Sequence, residues 1–206
     1  RLWEDTLAFA DKLASGPTVA IAQTNVRRLL AYSAIANIGF VLLGVLAANP
    51  VGYASALFYI LIYALMAIGA FGVLILMSRA GYEAETMDDL KGLNNRSPWL
   101  AAVLALFMFS MAGVPPTAGF YAKLLVLDAV MEQGFGLIAV IAVIFAVISA
   151  FYYLKVVWQL YFEAPIESAS LVTSPDVRWM LIVNGGLVLV FGVIPEPLGQ
   201  AGLLGF

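Results

Sequence analysis

Ala112-Gly113-Val114-Pro115-Pro116-Thr117-Ala118-Gly119 interrupts a long apolar run, and four residues after its last glycine stands Lys123. Residues 98–131 would make one continuous helix about 51 Å long, against a bilayer hydrocarbon core of roughly 30 Å, so the run is too long for one straight crossing. Two consecutive prolines remove two backbone donors and clash with the preceding turn, so the helix is predicted to break between Gly113 and Pro116. A break inside a membrane leaves carbonyls unpaired on one half and amides unpaired on the other. That is tolerated only within protein or beside water, and it is where an ion or proton path can be built. Gly113, Pro115, Pro116 and Gly119 are therefore the predicted framework of a site.

Lys123 is the group that framework would serve. A lysine within an apolar span costs roughly 2.5–3.5 kcal/mol on insertion scales and is read as functional by default. The structural alternative is an amine that snorkels to the headgroups along its own stem. A snorkelling lysine has no use for a double-proline break beside it, so Lys123 is assigned to a proton pathway. Lys155, in Phe151-Tyr152-Tyr153-Leu154-Lys155, weighs evenly between a snorkelling cation and a second pathway residue.

Outward from the break, composition agrees with a membrane chain. The 206 residues are 63% hydrophobic and 11% charged, where soluble domains are about 45–50% apolar and about 25% charged. Ten Lys and Arg against thirteen Asp and Glu give a net charge of −3, which excludes a general phosphate-binding surface for nucleic acid. There is no Cys and no His. Disulfides, iron–sulfur clusters, His- or Cys-ligated haem and the usual zinc sets are thus excluded within this sequence. The carboxylates lie nearly all in loops, so no independent enzyme active site is expected.

Charge-free intervals mark the spans, since a transmembrane helix needs about 20 mostly apolar residues. Arg28 to Arg79 is uncharged between its ends, and Asn49-Pro50-Val51-Gly52 divides it by turn chemistry into helices at 29–48 and 53–78. The broken run follows, then intervals from Glu132 to Lys155 and from Arg178 to Glu196. Five spans result, the third broken, in an all-α membrane fold. Threading them puts Arg27, Arg28, Arg79, Lys91, Arg96 and Arg178 on one side and Asp128, Glu132 and Glu196 on the other. The basic side is read as cytoplasmic, which places the N-terminus inside.

Residues 1–22 form a rough amphipathic segment that cannot span and lacks a signal-peptide layout. A sequence that opens on Arg and enters its first span from inside is expected to be a partial stretch of a longer protein. The loop 80–97 is expected to carry a short helix near Met87–Leu93. The first two spans contain no charge, so a path there would run through Tyr32, Ser33, Asn37, Tyr59, Tyr63 and water. Ser33 and Asn37 share one helix face, as do Tyr59 and Tyr63. Helix-to-helix hydrogen bonding explains these residues equally well. Asp128 and Glu132, one turn apart, mark either a proton exit or, as favoured here, a solvated rim.

Two segments carry a resemblance, the second of them in two parts. Gln23-Thr24-Asn25-Val26-Arg27-Arg28-Leu29-Leu30-Ala31-Tyr32-Ser33-Ala34-Ile35-Ala36-Asn37-Ile38-Gly39-Phe40 is followed by Asp89-Leu90-Lys91-Gly92-Leu93 and then by Met111 through Lys123. In this order and spacing they resemble the proton-pumping antiporter-like subunits of respiratory complex I (NADH:quinone oxidoreductase) and their Mrp-type cation/proton antiporter relatives. The Gly-Val-Pro-Pro-Thr-Ala-Gly-Phe string and Phe151–Lys155 are most similar to the subunit N group. The resemblance spans residues 18–197.

It implies two inverted repeats per subunit, each with a broken helix and a buried lysine, of which this sequence would be the second repeat plus the final helix. Residues 23–197 would be that unit, 1–22 an interfacial or truncated lead and 198–206 a tail. Lys123 would be the lysine of the second broken helix, while the glutamate and lysines of the first repeat have no counterpart. Asn37 stands where many members carry histidine, leaving amide or water bonding. The implied function is proton translocation in the membrane arm of complex I, coupled to quinone reduction in the electron-transport chain. The alternative is a subunit of an Mrp-type antiporter. NADH, FMN, iron–sulfur clusters and quinone would belong to partner subunits, with no cofactor or metal in this chain. Partners would be other membrane-arm subunits and lipid, in the bacterial inner membrane, and the subunit is not expected to act alone.

Overall fold

The computed structural model describes residues 23–79, 85–165 and 175–193. Its helices are α1 (Val26–Leu46), α2 (Pro50–Arg79), the single turn α3 (Leu93–Arg96), α4 (Pro98–Ala112), α5 (Ala118–Glu132), α6 (Gly136–Tyr161) and α7 (Pro175–Val193). Four of them, α1, α2, α6 and α7, are long and apolar enough to cross a membrane. With the composition they make this a multi-pass membrane chain. The expected lead 1–22, the tail 198–206, Glu196 and most of the linker after Glu163 lie outside the described residues.

Local chemistry accounts for the boundaries. Asn25 caps α1, its Oδ1 accepting the N–H of Arg28 at 3.0 Å. The turn before α2 is shorter than the four-residue reading of 49–52, and the helices run to Leu46 and from Pro50 rather than to 48 and from 53. The reason is that proline suits a helix's first turn, where its missing N–H costs nothing. Asn49 completes the start by accepting the N–H of Gly52 at 2.6 Å. Here α1 and α2 nearly touch, since a Cβ on Gly52 would stand 2.4 Å from the carbonyl oxygen of Gly44.

In the loop, the helix expected near Met87–Leu93 is instead two pieces, a 3₁₀ turn Asp88–Leu90 and α3. Gly92 separates them at φ +60°, donating its N–H to the carbonyl of Gln159 at 2.9 Å. This loop closes one end of the bundle. Arg27 reaches Glu85 at 3.0 Å and Ser78 at 2.7 Å, Met87 N–H bonds the carbonyl of Thr24, and Arg178 lies over Trp99 at 5.3 Å. Lys91 pairs with Asp88 at 2.7 Å, and that carboxylate raises the ammonium's pKa. Arg27, Lys91, Arg96 and Arg178 thus gather at one end, as the charge threading requires.

The short helix α5 occupies the centre, packing against α1, α2, α4, α6 and α7. Leu104, Met108, Ala122, Val126, Ile62 and Met66 form the heart of the core around it. The outward faces of α2, α6 and α7 carry Leu57, Ile68, Val147, Phe151 and Met180, large apolar side chains exposed as lipid- or partner-facing helices expose them.

Candidate functional site: a lysine at a broken helix

The predicted break is present. Helix α4 stops at Ala112, α5 starts at Ala118, and the Pro115–Pro116 peptide between them is cis. A helix end leaves four carbonyls without intrahelical partners, here those of Phe109, Ser110, Met111 and Ala112. The chain satisfies the first two itself. Gly113 turns into the left-handed region at φ +86°, its N–H reaching Phe109 at 3.1 Å and Ser110 at 3.0 Å, while Val114 N–H reaches Phe109 at 3.0 Å. Only glycine adopts that conformation without strain.

The remaining two carbonyls receive Lys123. Its Nζ donates to Met111 O at 2.8 Å and to Ala112 O at 3.2 Å. The lysine is 8% exposed, so the snorkelling alternative fails: the amine turns inward, onto the negative end of a half-helix dipole. Gly113 makes room for it, because a Cβ there would meet Nζ at 3.2 Å. Gly119, one turn before Lys123 on the same face, brings the two halves together. Its N–H donates to Ser110 Oγ at 3.1 Å, and a Cβ would fall 2.0 Å from Ser110 O. Of the predicted framework, Gly113 and Gly119 touch the site directly, whereas Pro115 and Pro116 are exposed and act by breaking the helix.

A second polar cluster lies in the first two spans and α6. Asn37, 3% exposed, accepts from the Tyr59 hydroxyl at 2.9 Å and donates to the Tyr153 hydroxyl at 3.1 Å and to Ser33 O at 2.9 Å. Ser33 turns its own hydroxyl to Leu30 O at 2.7 Å. A carboxamide neither gains nor loses a proton near neutral pH, so Asn37 fixes the two tyrosines rather than relaying protons. The Tyr152 ring packs on Tyr153 with centroids 4.4 Å apart. Phe40 links the cluster to the break: its ring stacks on Tyr59 at 5.7 Å, and Lys123 Nζ lies 5.5 Å from its centroid.

The other predicted residues stay outside these two groups. Tyr32 is half-buried against the core and forms no side-chain hydrogen bond with the described residues. Tyr63 is half-buried beside Tyr153. Lys155 is half-buried and forms no ion pair or hydrogen bond with the described residues. Asp128 and Glu132 are exposed, as a solvated rim would be. Sequence reasoning passed over Phe40, Ser110 and Tyr153 as site residues. Ser149 and Tyr153, four apart on the buried face of α6, were the available signal, since a polar pair on a buried stripe needs a partner. Among the described residues, no group of three or more His, Cys, Asp and Glu is placed to hold a metal.

Comparison with known proteins bears on this geometry. Residues 13–149 match the family model described as NADH:quinone oxidoreductase/Mrp antiporter, transmembrane. A protein of Thiobacillus denitrificans named NADH-quinone oxidoreductase subunit N is 51% identical over 95% of this chain and 41% of its own length. Its namesake in Thioalkalivibrio sulfidiphilus is 54% identical over 92% of the chain and 40% of its own length. The chain thus spans about two fifths of these relatives. Among solved structures, a chain of respiratory complex I from Thermus thermophilus with bound aureothin is 28% identical at a TM-score of 0.84, covering 97% of this chain and 45% of that one. A chain of the Mrp complex from Dietzia sp. shares the fold at a TM-score of 0.84 and 20% identity, covering 98% and 46%.

Proposed function

The chain belongs to the NADH:quinone oxidoreductase/Mrp antiporter transmembrane family, and on that premise we propose that it is part of a proton-translocating membrane-arm subunit of the complex I type. Residues 23–197 are read as the second of two inverted repeats plus a final helix, the two halves α4 and α5 together making the third of five crossings. The basic end of the bundle faces the cytoplasm of a bacterial inner membrane. Flavin, iron–sulfur clusters and quinone belong to partner subunits, where the redox reaction runs. This chain supplies the amine that changes proton occupancy as charge shifts along the membrane arm.

One observation carries this reading: the ammonium of Lys123 is buried and held by two backbone carbonyls at a helix break. A lysine that only filled space would need no such partners. Held there, it delivers charge to the middle of the bundle and loses it when its proton leaves. The relatives near 50% identity, named as subunits of a redox enzyme, favour this over an independent antiporter.

The test is NADH-driven proton uptake into inverted vesicles carrying the full-length subunit with Lys123→Ala, assembly being checked on the same membranes. Uptake is expected to fall below about half of the wild-type initial rate with the complex intact, as removal of an intramembrane ionisable group from its path requires. Unchanged uptake with the variant incorporated removes Lys123 from the pathway.

A further inference from the structure

Two polar groups approach each other in this bundle without a hydrogen bond between them. On one side is the Lys123 ammonium, whose hydrogen-bond partners are the carbonyls of Met111 and Ala112. On the other is the Asn37 cluster with the hydroxyls of Tyr59 and Tyr153. The residue that touches both is apolar. Phe40 is 3% exposed and lies one turn beyond Asn37 on α1. Its ring is parallel to that of Tyr59 within 3° and lies beneath the ammonium at 5.5 Å.

We propose that Phe40 is an apolar gate between Lys123 and the hydroxyl cluster, closed in the arrangement seen here. This rests on the reading of Lys123 as a proton-carrying group. The physics is that of a dewetted constriction, in which a bulky apolar ring excludes the water needed to carry a proton across the gap. The ring's electron-rich face also holds the ammonium while the gate is closed, an attraction that strengthens where water is absent. When the ring swings aside, water enters. The ammonium then gives a proton to that water, its nitrogen keeping the electron pair. Each water or tyrosine hydroxyl along the way accepts one proton and releases one. Asn37 takes no proton; it holds Tyr59 and Tyr153 in place.

Removing the ring should therefore loosen the coupling of proton movement to oxidation rather than stop oxidation. The experiment uses the assembled enzyme in inverted vesicles with the full-length subunit carrying Phe40→Ala or Phe40→Leu. It measures protons taken up per NADH oxidised and the decay of the gradient once oxidation is stopped. The expected result for Phe40→Ala is continued NADH oxidation, a yield lowered about twofold and a faster gradient decay, with a smaller change for Phe40→Leu, which refills part of the gap. Adding Lys123→Ala to Phe40→Ala should restore a slow decay, because the leak runs through the amine. Wild-type yield and decay in both assembled variants overturn the gate, and so does failure of both to assemble, which makes Phe40 a packing residue. Lys123→Ala alone, run in parallel, separates the two claims. If it lowers uptake while the Phe40 variants remain tight, only the gate falls; if it leaves uptake unchanged, the functional reading falls.

Discussion

The break between α4 and α5 and the cluster around Asn37 are both buried polar sites in an apolar bundle, yet they are built from opposite materials. At the break the protein uses its own backbone: two carbonyls left over by a helix end hold the ammonium of Lys123. At the cluster the bonds run chiefly between side chains from three helices, Asn37 on α1, Tyr59 on α2 and Tyr153 on α6. A backbone site is fixed by main-chain geometry and admits little variation. A side-chain site can be rebuilt by substitution, because any side chain of similar size that both donates and accepts can stand in for the carboxamide of Asn37. The first site should therefore fail abruptly when its geometry is disturbed, and the second by degrees.

The largest effect is expected at Gly119. Its hydrogen would be replaced in Gly119→Val by a branched side chain whose Cβ falls 2.0 Å from Ser110 O. No side-chain rotation relieves a contact with backbone, so α5 must shift away from α4 and carry Lys123 off its carbonyls. Loss of the full-length subunit from the assembled complex is expected, read on native gels of the membranes. Normal assembly with full proton uptake would show that the two halves are held less closely than their geometry implies, and that the backbone site tolerates disturbance as well as the side-chain cluster does.

This difference in materials also decides what could be read in advance. Val114-Pro115-Pro116 and the glycines on either side announce a break by local chemistry alone, because prolines act on their own turn and the span length leaves no alternative. Lys123 followed, since a cation in an apolar run is visible one residue at a time. The partners of Asn37 were not legible in the same way. Tyr153 lies 116 residues away along the chain, and nothing in α6 says which of its buried polar groups meets which helix. Phe40 was invisible for a further reason: one phenylalanine among thirteen has no signature until its neighbours are known. Pro50 reads as turn chemistry in the sequence but stands in the first turn of α2, so the helix starts at residue 50 and not at 53. Arg27, Lys91, Arg96 and Arg178 gather at one end because each charge has to avoid the hydrocarbon regardless of partner.

An intermediate effect is expected at the cluster. Asn37→Leu removes the acceptor of Tyr59 and the donor to Tyr153 while keeping the volume nearly constant. Interhelical hydrogen bonds in membrane proteins average about 0.6 kcal/mol and reach about 1.7 kcal/mol, so two of them set a destabilisation of about 1–2 kcal/mol. The complex should assemble, with a lower thermal midpoint for release of this subunit and proton uptake reduced less than in Lys123→Ala. A loss of uptake as large as that of the lysine variant would place the amide itself on the obligatory path and erase the distinction between the two sites. An unchanged midpoint would show that the tyrosines find other partners.

The smallest effect is expected at Lys155, the control that nature supplies for Lys123. Both are lysines within apolar helices, but Lys155 is half-buried and bonds none of the described residues, whereas Lys123 is held on two carbonyls. If being held at a helix break is what makes a membrane lysine part of a proton path, Lys155→Met should leave NADH-driven uptake near wild type. Methionine keeps the length and apolar character of the stem, so packing along α6 is preserved and the missing charge is the main difference. The same inverted-vesicle assay, with assembly checked, decides it. A fall in uptake comparable to that of Lys123→Ala would mean that an amine needs no backbone cradle to serve the path. Position within the bundle, and not the broken helix, would then be what selects the residue.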